Sequence, residues 1–261
     1  MTTCQIRFRI GPNNIFGTFL AVFSLGLLLA SQAQAGRFIA LSEAETFAPG
    51  VGEVIQVGNW QREKVGEDEM TIINMQLGIE FGLASRFQVG MALPAYSDLR
   101  GANFRNTKFG GMSMWGLYNF FLPTSQNLGI SGGMILTEGD ESLAMEANLV
   151  LEKSWEPVVV VMNIIAGHGW MRKVDVEDHG FLIGRLGASR DLGRSFSLAI
   201  ETEWCFHHRG GIRYHSDEMK MGSSLVWNAG PLWVLGGLLF DAHSKSDLQG
   251  PALQLQAGVP F

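Results

Sequence analysis

From Ile73 to Leu83 every odd position is apolar (Ile73, Met75, Leu77, Ile79, Phe81, Leu83), while the even positions read Asn74, Gln76, Gly78, Glu80 and Gly82. Successive side chains of a strand point to opposite faces, so this alternation predicts a strand with one oily and one wet side. The pattern recurs at Phe87, Val89, Met91 and Leu93, and again at Leu143, Met145, Ala147, Leu149 and Leu151. A fourth clean case sets Phe196, Leu198, Ile200, Trp204 and Phe206 against Ser197, Ala199, Glu201, Glu203 and Cys205, with Thr202 the one break in the oily set. Less regular segments fill the gaps, giving twelve predicted strands near 51–62, 71–83, 87–97, 107–122, 127–137, 142–153, 157–170, 179–190, 195–207, 216–227, 231–242 and 250–261.

The connections alternate in kind. Leu83-Ala84-Ser85-Arg86, Pro123-Thr124-Ser125-Gln126, Ser154-Trp155-Glu156, Asp191-Leu192-Gly193-Arg194 and Asn228-Ala229-Gly230 are short and rich in turn formers. Between them lie longer, charged stretches: 64–68, 98–106, 173–178 and 208–212. Short turns on one side and long loops on the other are what a bacterial transmembrane barrel produces, and an even strand count returns both ends to one side. In hydrocarbon every backbone group must be paired, which leaves helices and closed barrels. Beyond the N-terminal region no run is long enough for a spanning helix, and the densest apolar stretches, 157–166 and 231–240, have the length of a tilted membrane strand. The sequence therefore predicts an all-β, antiparallel transmembrane β-barrel of twelve strands. Trp60, Trp115, Tyr118, Trp155, Trp170, Trp204, Trp227 and Trp233 fall mostly near segment ends, where interfacial girdles sit, although each taken singly fits ordinary packing as well.

The N-terminus has the marks of an export signal: Arg7 and Arg9, a mostly apolar run from Ile15 to Ala30, then Ala33-Gln34-Ala35. We expect residues 1–35 to be a signal peptide cleaved near Ala35, 36–50 a periplasmic N-terminal segment and 51–261 the barrel. Cleavage removes two basic and no acidic residues, taking the formal net charge from −6 to −8. An acidic chain argues against nucleic acid as a partner. Only Cys205 would remain, so no intramolecular disulfide is expected. At the other end Leu253, Leu255, Ala257, Val259 and terminal Phe261 share a face. This resembles the signal by which the barrel-assembly machinery recognises its clients, so Leu255, Val259 and Phe261 are the expected assembly residues in an outer-membrane protein.

With the oily faces in lipid, Asn74, Gln76, Glu80, Glu146, Asn148, Glu152, Glu201 and Glu203 are expected to line the lumen, with Arg185 and Lys220 on the same wet parity. Unpaired carboxylates are costly in a low dielectric, so some should pair with Arg185 or Lys220 or meet water. Two outcomes stay open: a cation-favouring, small-solute pathway, or an internal salt-bridged network that plugs the barrel. Twelve strands enclose more space than side chains fill, yet loops or residues 36–50 could occlude it. His168, His179, His207, His208, His215 and His243 lie near the long-loop ends; no spacing supports a metal site, so they read as polar rim residues and neither metal nor cofactor is expected. Ser223 and Ser224, after His207 and His208, are the nearest approach to a lipid-hydrolase arrangement, and no His-x-Ser spacing supports it.

The stretch Glu43-Ala44-Glu45-Thr46-Phe47-Ala48-Pro49-Gly50-Val51-Gly52-Glu53, with Leu77-Gly78-Ile79-Glu80-Phe81-Gly82-Leu83-Ala84-Ser85-Arg86-Phe87-Gln88-Val89-Gly90 and Leu93-Pro94-Ala95-Tyr96, resembles the opening of the outer-membrane family associated with the meta-pathway of phenol degradation. The likeness is clearest over residues 43–97. It implies an outer-membrane barrel passing small hydrophobic or aromatic compounds, with no catalytic residues. The function expected is passive passage of small molecules, with a barrel enzyme or a closed structural or adhesion barrel as the alternatives.

Overall fold

A computed structural model describes residues 43–65, 68–93, 96–101, 105–139, 142–171, 179–209, 215–230, 232–244 and 251–261. The expected signal peptide, and the expected periplasmic segment as far as residue 42, lie outside the described residues. The described chain forms fourteen strand segments: β1 (Gly52–Val65), β2 (Asp68–Ala84), β3 (Phe87–Ala92), β4 (Tyr96–Arg100), β5 (Arg105–Phe109), β6 (Met112–Phe121), β7 (Gly129–Glu138), β8 (Ser142–Trp155), β9 (Val158–Met171), β10 (His179–Asp191), β11 (Phe196–Arg209), β12 (His215–Ala229), β13 (Leu232–Ser244) and β14 (Ala252–Pro260). β3 and β4 both pair with β2, one above the other, and β5 and β6 continue them on the next strand. Each couple is one stave, so the wall has twelve. Every pairing is antiparallel, and β1 bonds both β2 and β14, closing the sheet into the predicted barrel. Gly52 and Phe261 exchange both backbone hydrogen bonds at the seam, so no edge is left there for another chain to extend.

Outside, the wall is oily. Leu83, Met134, Leu136, Leu149, Ile164, Leu186, Leu198, Ile200, Met221, Leu225, Leu238, Phe240 and Leu255 are exposed, although a water-soluble sheet would bury such residues. Exposed Tyr118, Trp155, Trp170 and Trp227 match the girdle expectation. Trp115 and Trp233 do not, because both point into the lumen: Trp233 is 3% exposed and its indole donates to Glu53, while a side chain at Gly90 would collide with the Trp115 ring. Two polar side chains on the outer face return their hydrogen bonds to backbone. Gln56 donates to the carbonyls of Val57 and Gln76, and Thr202 to that of Lys220, which keeps them tolerable beside lipid.

Two predicted loops, 64–68 and 98–106, are largely strand: pairing runs out to Val65 opposite Asp68 and to Arg100 opposite Arg105. Alternation is legible only where one face meets hydrocarbon. Beyond that zone both faces are polar while the ladder continues, and β8 to β13 run 13 to 15 residues, past the nine to eleven a bilayer requires.

Candidate functional site

Cross-strand register fixes what faces inward. On β2 the inner face carries Asn74, Gln76 and Glu80, opposite Asn59, Val57 and Glu53 of β1. On β8 it carries Glu146, Asn148, Val150 and Glu152, and on β9 Val159, Val161, Asn163 and Ile165. Across the next staves Arg185, Glu203, Lys220 and Asp241 stand directly opposite one another on β10, β11, β12 and β13, a rung of alternating charge. Arg185 Nε lies 2.6 Å from Glu203 Oε2. Glu201, one inward position closer to the short turns, is 5% exposed. The ten residues expected to line the lumen thus share its wall at several heights. Glu203 joins Arg185 directly; Asn74 accepts from Ser97, and Glu80 from Gln88 at 2.5 Å.

The lumen is occupied at its short-turn end. Glu43–Gly50 does not stay outside the mouth but runs into the barrel as a strap, and Ala44 is wholly buried. The Ala44 N–H donates to Glu152 Oε2 at 2.8 Å. Its carbonyl accepts from Asn119 Nδ2 at 2.6 Å and Ser131 Oγ at 2.5 Å. Its methyl packs among Val150, Val159, Val161 and Ala199. Farther along, the Phe47 N–H donates to Gln88 Oε1 at 3.1 Å, and the chain is pinned to β2 by Gly50 N–H to the Gly82 carbonyl and Gly82 N–H to the Val51 carbonyl. The strap crosses β2 so closely that a Cβ at Gly82 would lie 2.3 Å from the Ala48 carbonyl oxygen, which makes glycine necessary there.

A second buried patch is formed by Val226, Trp233 and Leu235, with Ile55 and Leu239 against them. Carboxylates at this end meet donors. Glu53 takes the Trp233 indole, and Glu152 takes the strap.

Sequence parity singled out Glu152 but missed the rest of the strap's cradle. Gln88 sits on a wet-face position of the cleanly alternating β3, and Asn119 and Ser131 on wet-face positions of the less regular β6 and β7, so stricter use of parity finds them. Ala44 carries no such signal, because a lone small residue outside a strand has no period. Ser223 and Ser224 take opposite faces, Ser223 exposed outward and Ser224 2% exposed inward, so they form no common site. His168 lies 4.8 Å from Trp170, ring to ring, on the outer face; the side chains of His179, His207, His208, His215 and His243 lie outside the described residues. At the C-terminus Leu255 is 53% exposed on the outer face, Val259 only 7% exposed opposite Val54, and Phe261 caps the seam.

No family model and no curated protein matches the sequence. Solved structures do resemble the fold. An outer-membrane channel of Pseudomonas putida F1 is 11% identical, superposes over 86% of this chain and all of its own, and gives a TM-score of 0.67. The β domain of the Bordetella autotransporter BrkA (10% identity, 80% of this chain and 98% of that one) scores 0.54, and the NanC porin (11%, 80% and 98%) scores 0.51. At these identities the likeness is one of architecture: the chain has the closed, antiparallel, twelve-strand barrel fold found in outer-membrane proteins.

Proposed function

We propose that this barrel is an outer-membrane channel for passive passage of small solutes, closed at rest by Glu43–Gly50 at its short-turn end. The observation that carries this reading is that the strap is held by hydrogen bonds that the ring does not use for its own closure. A segment that the wall does not need for closure is suited to moving, as loops and lids of low local stability do.

The short turns and strap face the periplasm in this reading, the signal peptide is removed after Ala35, and Leu255, Val259 and Phe261 present the assembly signal. Glu80, Glu146, Glu152, Glu201 and Glu203, set against Arg185 and Lys220 and flanked by Asn74, Gln76 and Asn148, form the pathway and favour cations. The resemblance over residues 43–97 implies hydrophobic or aromatic cargo. The charged rung of Arg185, Glu203, Lys220 and Asp241 favours small polar solutes over these, since an apolar solute gains nothing from leaving water for a charged lining. The deciding experiment is planar-bilayer recording on the mature chain, with heat-modifiable migration to verify the barrel. We expect small, intermittent, cation-preferring currents. A folded barrel that passes no current, even with the strap displaced by substitution, overturns the channel.

A further inference from the structure

What the closed end of the lumen grips is the backbone of one residue, its N–H on one side and its C=O on the other, rather than any side-chain group of the strap. The N–H of Ala44 meets one carboxylate oxygen of Glu152, its C=O meets two donors, Asn119 and Ser131, and its methyl fills an apolar seat of Val150, Val159, Val161 and Ala199. The three polar partners are 3%, 0% and 0% exposed, so this contact is made away from bulk water. None of these bonds depends on what precedes or follows Ala44. Asn119 is oriented by the bond its Nδ2 gives to the Ala44 carbonyl, and its Oδ1 is buried with no partner among the described residues. The cradle therefore has room in its chemistry for one N–H more than the strap supplies, and an unmet buried acceptor favours a ligand that brings a donor.

We propose that this cradle is a binding site for small amide solutes, those carrying a secondary amide beside a methyl-sized substituent, such as a capped alanine or a short alanine-containing peptide. The strap holds it as a tethered competitor. The inference rests on the channel reading for how a solute reaches the cradle, and it adds the chemical class that the constriction selects. Tethering gives the strap an effective concentration in the millimolar range, so an external amide binds the intact protein weakly until the strap is moved.

The test is calorimetric titration of N-acetyl-L-alanine amide into the mature chain in detergent micelles, with the analogue whose ester oxygen replaces the alanyl N–H as control. Ala44→Trp cannot enter a seat built for a methyl and should expel the strap. We expect it to bind the amide about tenfold more tightly than the parent, with the ester analogue far weaker because Glu152 then faces an oxygen. Adding Glu152→Leu to Ala44→Trp should abolish the gain. Should Ala44→Trp fail to fold, Ala44→Gly keeps both backbone bonds but empties the seat, and about threefold tighter amide binding is expected from the weakened competitor. Equal affinity in the parent and in a folded strap variant overturns the proposal, as does equal affinity for amide and ester. Bilayer recording on the same variants separates the two readings. Conductance that rises without amide binding overturns the site and leaves the channel, whereas amide binding in a barrel that never conducts supports the site and overturns the channel.

Discussion

At the short-turn end Glu152, Asn119 and Ser131 direct their hydrogen bonds at one alanine, with exposures of 3% or less. Toward the other end Arg185 and Glu203 also bond, at 2.6 Å, but keep 23% and 17% of their side chains exposed and stand in line with Lys220 and Asp241. Both regions line one lumen, yet one places a single carboxylate against a neutral backbone and the other alternates opposite charges. Burial accounts for the contrast. A carboxylate withdrawn from water must be met by donors of fixed geometry, and a strap backbone supplies one without bringing a countercharge. Where water still reaches, full charges are tolerable and their pairing contributes little to stability, so the same rung is free to act on passing ions. The closed end is a problem in hydrogen bonding and the open end one in electrostatics.

The largest expected effect breaks the closed end outright. Gly82→Val puts side-chain atoms where the Ala48 and Phe47 carbonyls lie, 2.3 and 2.6 Å from the first added carbon, and backbone cannot yield there as a flexible side-chain tip would. The strap should leave its crossing of β2, and bilayer conductance should rise roughly tenfold as an equilibrium now closed by a few kcal/mol is inverted. Since Gly82 ends a strand whose ladder runs on to Asp68, the barrel itself should persist in heat-modifiable migration. Unchanged conductance from an intact Gly82→Val barrel would mean that the strap is not what closes the mouth.

A smaller effect sharpens the same point. Asn119→Leu removes one of two donors to the Ala44 carbonyl and leaves Ser131 in place. The loss of one neutral hydrogen bond is worth about 1 kcal/mol, so the open fraction in single-channel records should rise about fivefold, without altered ion selectivity. A change in selectivity instead would tie Asn119 to the conduction path.

How far this contrast was legible in the sequence follows from what a period of two can encode. β2, β8 and β11 alternate over their whole lipid-crossing lengths, and their predicted bounds fall within three residues of the observed ones. Glu203 and Arg185 both fell on wet positions, so that some carboxylate should pair with Arg185 or Lys220 was expected, but parity does not give height along the barrel or say which carboxylate it is. Only the register of β10 on β11 sets Arg185 opposite Glu203. Trp115 and Trp233 misled because an aromatic near a strand end fits a girdle or a lumen equally well, and position along the strand outweighed parity in that expectation. That residues 36–50 could occlude the lumen was legible, but the strap's points of attachment left no trace. Its hold is through backbone groups that every residue carries, so Ala44 is distinguished by the size of its seat and not by its own chemistry.

The smallest expected effect tests the open end. Arg185→Met keeps much of the side chain's length and apolar stem but removes the guanidinium, leaving Glu203 with Lys220 as the cation next to it on the rung. Partly exposed as the pair is, its removal should move thermal stability by less than about 1 kcal/mol. The lumen gains one uncompensated negative charge at a level that solvent reaches, so cation preference should increase, read as about a twofold larger permeability ratio from reversal potentials in a potassium chloride gradient. That gain should shrink as salt rises from 0.1 to 1 M, because the screening length falls from about 10 Å to about 3 Å. Gating by the strap should not change, since the bonds that hold Ala44 and Phe47 run to Glu152, Asn119, Ser131 and Gln88. If Arg185→Met instead alters the open fraction with selectivity untouched, the charged rung and the strap are coupled, and the division of the lumen into two chemistries fails.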